Sequence, residues 1–254
     1  MYNSPMQALW YTIFYNPIYN ALIWIMGNIT MGDIGFAVIV LTIFIRLILF
    51  PLSKKSVRSQ IMMKHIAPLL AQVKKDYPNK EEQAKQTFAL YKQYKVNPFS
   101  GCLFVLVQLP IIFALYYVFY KGLSFADTSL LYSFVQMPST INSMFLGFVN
   151  VNINHNIVLA LLAGITQFIQ GYLATPIVKD GEKKDKKDKT FQEQMADSMA
   201  INIKYILPIF ITFIAYKLSA AIAIYWVTSN LCTIAQEWYV RKTVSTTPLV
   251  IKAK

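Results

Sequence analysis

Arg46 is the residue with the most chemical consequence in this sequence. It lies in IGFAVIVLTIFIRLILFPLS, residues 34–53, a run with no other charge. A charge at membrane depth costs about 2.5–3.5 kcal/mol on insertion scales. Asp33, the nearest acid, is about 20 Å away by helix rise. No Asp or Glu lies inside any other long apolar run. Two readings follow. The long side chain can snorkel toward the nearer water surface, or the guanidinium can sit in a hydrated cavity between helices, since a buried uncompensated charge is costly.

Polar residues recur on helical faces of the other apolar runs. Thr42 and Ser53 share a face with Arg46, and Gln108 interrupts a second run. Thr166, Gln167 and Gln170 cluster in a third. Tyr225, Ser229, Cys232 and Gln236 form a stripe in the last, flanked by Trp226 and Asn230. Each alone is explained by hydrogen bonding between helices. Together with Arg46 they favour a hydrated cavity.

The elements that must position these groups are membrane spans. The chain has 254 residues, is 56% hydrophobic and 15% aromatic, and only 14% of it is charged. Soluble domains of this size carry more charge. A span needs about 20 apolar residues. Five runs qualify, at 34–53, 97–120, 154–178, 198–216 and 218–236. Lys204 must snorkel if the fourth is to cross. The expected fold is therefore an all-α membrane protein with five transmembrane helices.

Net charge is +12, which in a soluble protein would suggest nucleic acid. Its placement argues for topology instead. Residues 51–100 hold ten Lys/Arg, 178–204 seven and 237–254 four, which puts 21 of the 24 on one side. The positive-inside rule makes that side cytoplasmic. The N-terminus is then outside and the C-terminus inside. No Lys or Arg precedes Arg46, so the start is not read as a signal peptide, and no early Cys offers a lipid anchor.

Residues 1–31 are expected to form an amphipathic helix on the outer surface. Met6, Leu9, Trp10, Ile13 and Phe14 make its apolar face, while Asn16, Pro17 and Asn20 interrupt the run. Residues 32–243 form the five-span core, and 244–254 a short tail. Within the core, 53–95 reads as a cytoplasmic two-helix hairpin turning at Tyr77-Pro78-Asn79. Its stripes are Met62, Ile66, Leu69 and Val73 against Ala84, Phe88 and Tyr91. They are narrow, so the hairpin is expected to be weakly packed and mobile. Residues 178–200 form a second cytoplasmic loop, in which KDGEKKDKKDK at 179–189 lacks anything to bury and reads as a solvated linker.

Other chemistries find little support. The sequence has no GxxxxGK[ST] loop, no Ser/His/Asp or HExxH arrangement, and no Cys/His metal spacing around Cys102 and Cys232. His155, at an outer end, is the only ionisable group besides Arg46 and Lys204 that the runs offer a proton pathway. No cofactor, metal or catalytic residue is expected.

Four segments carry a family resemblance: FIRLILFPLSKKS at 44–56, YKQYKVNPFSGC at 91–102, VQLPIIFALYYVF at 107–119 and AIYWVTSNLCTIAQ at 223–236. In this order and spacing the chain, over about 34–243, resembles the YidC/Oxa/Alb membrane protein insertases. The resemblance implies a five-helix core with a cytoplasmic hairpin and a hydrophilic groove open to cytoplasm and lipid. Arg46 then corresponds to the groove arginine. Thr42, Gln108, Gln170, Tyr225 and Trp226 fall on matching segments as groove or substrate-contact positions, and Ser229 and Asn230 join them as substrate-binding candidates. The family's longer bacterial members have an extra N-terminal span and a periplasmic domain, and others have a lipoprotein start or a long basic tail; none of these is seen in this sequence.

The implied function is an insertase in a bacterial plasma membrane. It would act on nascent membrane proteins within the lipid bilayer, without nucleotide hydrolysis. The Sec translocon and the ribosome are candidate partners, and no specific nucleic acid is expected. Two rivals stay open: a channel or transporter using Arg46 as an anion site, and a non-catalytic assembly scaffold in which Arg46 only snorkels.

Overall fold

The computed structural model describes residues 5–97, 100–121, 128–174, 198 and 200–245. The side chains of residues 100–106, Cys102 among them, lie outside that description. So do most of the 178–200 loop, including 179–189, and the last residues of the tail.

Helix α1, Pro5–Trp10, runs through a π-helical turn at Tyr11–Tyr15 into α2, Asn16–Asn28. The helix is thus unbroken where the sequence suggested interruptions. Pro17 sits at the start of α2, next to the π turn, where a missing N–H is tolerated. Asn20 is buried with both ends of its amide satisfied. Its Nδ2 donates to the Leu130 carbonyl at 2.9 Å, and its Oδ1 accepts from the Tyr132 N–H at 2.7 Å. Met6, Leu9 and Ile13 are exposed in a row, whereas Tyr15, Tyr19, Leu22, Ile23 and Met26 are buried.

The first long apolar run forms α3, Ile34–Ile48, which starts with the Asp33 carboxylate accepting from the Phe36 N–H. It stops sooner than expected. The chain bends by 63° at Leu49, and α4, Phe50–Asp76, follows at once. Pro51 explains this, since a proline fits the first turn of a new helix but not the interior of an old one. The expected boundary at Ser53 therefore moves back to Leu49, and α3 is only about 22 Å long by helix rise. Arg46 consequently lies in the last turn of α3.

After α4 the chain turns at 77–79, where the Asn79 side chain caps α5, Lys80–Gln93. The end of α5 returns to the start of α4, because Ser59 Oγ donates to the Asn97 carbonyl at 3.1 Å and accepts from its N–H at 3.2 Å. Ile66 is buried, as its stripe required, and so are Val57 and Val96. Phe88 is not: it is 53% exposed, so it does not join the two helices as expected. Helix α4 also packs on α6, Ser100–Lys121, and on the last helix, so it is more firmly seated than two narrow stripes implied.

A short antiparallel ribbon follows α6: β1, Met144–Phe145, pairs with β2, Val149–Asn150. Helix α7, Ile157–Ala174, is long and apolar enough by itself to cross a membrane. A π-helical turn at Asn202–Ile206 leads into α8, Leu207–Lys217, and α9 spans Ala220–Ser245. Lys204 Nζ lies 4.5 Å from the Tyr172 ring centre and 5.1 Å from that of Tyr205, a cation–π arrangement that holds its charge at one end of the bundle.

Burial in α7 is inverted relative to a soluble helix. Ala160, Ala163, Gly164, Thr166, Gln167 and Gly171 face inward, while Val158, Leu161, Ile165 and Ile169 face out. Small residues inside and large apolar ones outside suit a lipid solvent, where close backbone approach replaces hydrophobic driving force. Gly171 shows the closeness: a Cβ there would lie 2.7 Å from the Ile203 carbonyl oxygen.

Candidate functional site

The α3–α9 interface brings Arg46 to Ser229. Arg46 Nε donates to Ser229 Oγ at 3.1 Å, and Nη2 donates to the same oxygen. Gln108 of α6 joins them. Its Nε2 donates to Ser229 Oγ at 3.1 Å and also contacts the Tyr225 hydroxyl. Tyr225 and Ser229, one helical turn apart on α9, present their oxygens on one face. The expected stripe on the last span is therefore real at these two positions.

Position favours the arginine as well as its partners. The C-terminal turn of a helix carries partial negative charge that stabilises a cation. Gln236 Nε2 donates to the Arg46 carbonyl at 3.0 Å, satisfying a carbonyl at the frayed end. Arg46 is 5% exposed. The sequence suggested a guanidinium with no obvious partner, surrounded by water. In the fold a hydroxyl accepts its protons, and the Ser229 side chain is fully buried.

The remaining predicted residues separate into different environments. Thr42 is buried but turns back on its own helix, its hydroxyl donating to the Val38 carbonyl at 2.6 Å. Trp226 is buried in the apolar core. Asn230 belongs to the α7–α9 seam, where its Nδ2 meets Thr166 Oγ1 at 3.2 Å and the Ala163 carbonyl at 3.4 Å. Gln170 is on the same helix as that seam, accepting from Gln167 Nε2 at 2.9 Å. Cys232 is a free, half-buried thiol. Among the described residues, no group of three or more His, Cys, Asp or Glu could hold a metal ion.

A charged cluster that the apolar patterning did not single out lies just beyond the last apolar run. Glu237 is 2% exposed and meets Arg241 Nη2 at 3.4 Å, and the same Nη2 donates to the Leu173 carbonyl at 2.7 Å. Burial raises the Glu237 pKa, with Arg241 and Lys64 opposing the rise. The Lys64 amine is shifted down, by burial first and then by Arg241. The i,i+4 spacing of Glu237 and Arg241 was the available signal. What hid it was length: α9 continues nine residues past Gln236, so the site stays covered by α4 and α7.

A mostly helical bundle with a lipid-suited outer face on α7 and a buried arginine among neutral donors and acceptors has the features of a membrane protein with a polar interior. The chain belongs to the 60Kd inner membrane protein family, whose profile matches residues 24–247. It is 36% identical over 209 residues to the membrane protein insertase YidC of Clostridium tetani, covering 82% of this chain and 81% of that one. The Fusobacterium nucleatum protein of the same name is 32% identical, with 84% and 88% covered. The Stutzerimonas stutzeri relative is longer, and this chain spans 35% of it at 29% identity. A crystal structure of an active YidC insertase superimposes with a TM-score of 0.58 at 25% identity, covering 93% of this chain and 48% of that one.

Proposed function

We propose that this chain is a membrane protein insertase of a bacterial plasma membrane. Its five spans would be carried by α3, α6, α7, α8 and α9, with residues 1–31 on the outer surface and 244–254 as a cytoplasmic tail. The N-terminus is outside and the hairpin of α4 and α5 cytoplasmic, as the distribution of Lys and Arg requires. Its substrates are nascent membrane proteins. The Sec translocon and the ribosome are candidate partners.

The observation that carries this reading is Arg46, held by Ser229 in a layer of neutral polar groups between α3, α6 and α9. Such a layer lowers the desolvation cost of a short polar segment passing from the cytoplasm. Its positive charge favours acidic segments. The following apolar helix then enters lipid, gaining about 25 cal/mol per Å² of apolar area removed from water. That gain supplies the driving force, so no nucleotide is hydrolysed. In this mechanism Gln108 and Tyr225 shape the polar layer with Arg46 and Ser229. Gln170, Asn230, Thr42 and Trp226 serve as flanking substrate contacts.

The test is reconstitution of the purified protein into liposomes with a short single-span substrate whose outer segment is acidic. Protease protection of that segment without added nucleotide is the expected result. One observation favours a second reading. Arg46 is nearly fully buried and its Nε and Nη2 are both engaged by Ser229 across the helix interface, as in an interhelical brace. Under that reading the protein is an assembly scaffold, and the liposomes would bind substrate without translocating its segment.

A further inference from the structure

The loop joining α6 to α7 has an unusual composition. Residues 128–156 contain no Asp, Glu, Lys or Arg. A water-exposed loop of that length ordinarily carries charge. At its tip, large apolar residues are displayed rather than buried: Phe148 is 74% exposed and Leu146 is more than half exposed. Both belong to the tip between β1 and β2.

That tip is built at a conformational cost. The Phe148 N–H donates to the Phe145 carbonyl at 3.3 Å, closing a turn over Leu146 and Gly147. Both central residues have positive φ, +54° and +80°. This is the pattern of a type I′ turn, which favours Asn or Gly at its first central position. A leucine there gives up backbone stability to present an apolar side chain. Nothing lies within 4 Å of a Cβ placed on Gly147, so the tip points into open space.

The ribbon is held rigidly from both sides. Toward α3, the Asn142 N–H donates to the Gly32 carbonyl at 2.9 Å, and the Ile34 N–H donates to the Asn142 carbonyl at 3.1 Å. Toward α9, the Ala221 N–H donates to the Val151 carbonyl and the Ala220 N–H to the Ile153 carbonyl, each at 3.0 Å. Phe145 packs edge-on against Phe36, ring centres 5.1 Å apart, on the ribbon's α3 side. Phe36 opens the outward face that α3 continues with Ile43 and Leu47. Beside it, Met31 stands 91% exposed. The apolar tip is therefore continuous with the face α3 offers to lipid.

We propose that this ribbon is a bilayer anchor, with Leu146, Phe148 and Met31 seated among the head groups and upper acyl chains of the outer leaflet. The occupant is lipid because the patch is uncharged, aromatic, fixed in place and continuous with a lipid-facing helix. Such a wedge pins the outer ends of α3 and α9, the two helices that carry Arg46 and Ser229. The anchor rests on the orientation proposed above.

The test uses Phe148→Cys protein carrying a nitroxide label, reconstituted in phosphatidylethanolamine/phosphatidylglycerol vesicles. The signal of equally treated unsubstituted protein is subtracted. The label should collide several-fold more often with oxygen than with a water-soluble nickel complex. In parallel, Ser139→Cys, an exposed position on the same loop, should react with a membrane-impermeant maleimide added to intact cells. Preferential collision with nickel, with Ser139→Cys labelled from outside, overturns the anchor and leaves the orientation standing. Shielding of the nitroxide from both reagents means a protein covers the tip and also overturns it. Protection of Ser139→Cys from outside reagent overturns the orientation, and the outer-leaflet anchor with it.

Discussion

Arg46 and Ser229, separated by 183 positions in the chain, share a hydrogen bond of 3.1 Å from Nε to Oγ across the α3–α9 interface. A guanidinium meets a neutral hydroxyl there, in a layer completed by Gln108 and Tyr225. Ser229 positions the charge without carrying an opposite one, which is the arrangement the proposed recognition of acidic segments uses.

Arg46→Ala should strongly reduce insertion of substrates with acidic outer segments, while Arg46→Lys keeps much of it. A point charge serves where no bidentate partner is required. The measurement is protease protection of the inserted segment in vesicles, with protein abundance matched. Normal insertion by folded Arg46→Ala protein would remove the polar layer from the mechanism.

Ser229→Ala deletes the acceptor shared by Arg46 and Gln108. Interhelical hydrogen bonds in membranes are worth about 0.6 kcal/mol on average and up to about 1.7. A loss in that range should appear as a lower midpoint of thermal unfolding in detergent. The double variant Ser229→Ala/Gln108→Ala should lose less than the sum of its parts, because both changes remove one shared contact. Strict additivity would mean that the two side chains do not meet.

Gly171→Ala should loosen the packing of α7 against the Asn202–Ile206 turn that leads into α8, because the new methyl would fall 2.7 Å from the Ile203 carbonyl oxygen. The backbone cannot yield as a flexible side chain would, so a cost of about 1–3 kcal/mol is expected. Thermal unfolding reads it, with Gly27→Ala as the control, a helical glycine whose added methyl would meet only ordinary contacts at 3.8 Å and beyond. Equal midpoints for Gly171→Ala and the parent would place the two segments farther apart.

Glu237 makes stability pH-dependent with a definite sign. Its folded-state pKa is raised by burial, so the folded state binds the proton more tightly than the unfolded chain does. Its contribution is favourable below the ordinary carboxylate pKa and lost as pH rises through the raised value. Stability should therefore fall over that window, and Glu237→Gln should flatten the fall. Melting temperatures between pH 4 and pH 8 test this. A Glu237→Gln curve parallel to the parent's would assign the pH dependence to other groups.

Replacing residues 57–93 by a short Gly/Ser linker should impair insertion while leaving the spans in the membrane. It also removes most of α4, which packs beside α9, so membrane abundance should drop modestly. Insertion assayed at matched abundance separates the two effects. Full activity at matched abundance would make the hairpin a spacer.

Membrane residence, the apolar runs and the distinctiveness of Arg46 were legible in the sequence. Hydropathy and charge placement act locally, through the cost of putting backbone and charge into hydrocarbon. The turn at 77–79 was legible for the same local reason, and the structure added the Asn79 cap. Tertiary packing decided the rest. The kink at Leu49 depended on which helix Pro51 would join, and Phe88 lay on a plausible stripe but not on the buried one. Asn20 looked like a helix interruption until the 130–132 loop supplied its partners. Gln170 and Asn230 share the polar character of Gln108, yet the fold assigns them to the α7 side and leaves Gln108 with Arg46. Composition marks which residues need a partner. Only the folded chain, by juxtaposing positions more than a hundred residues apart, determines which partner each one gets.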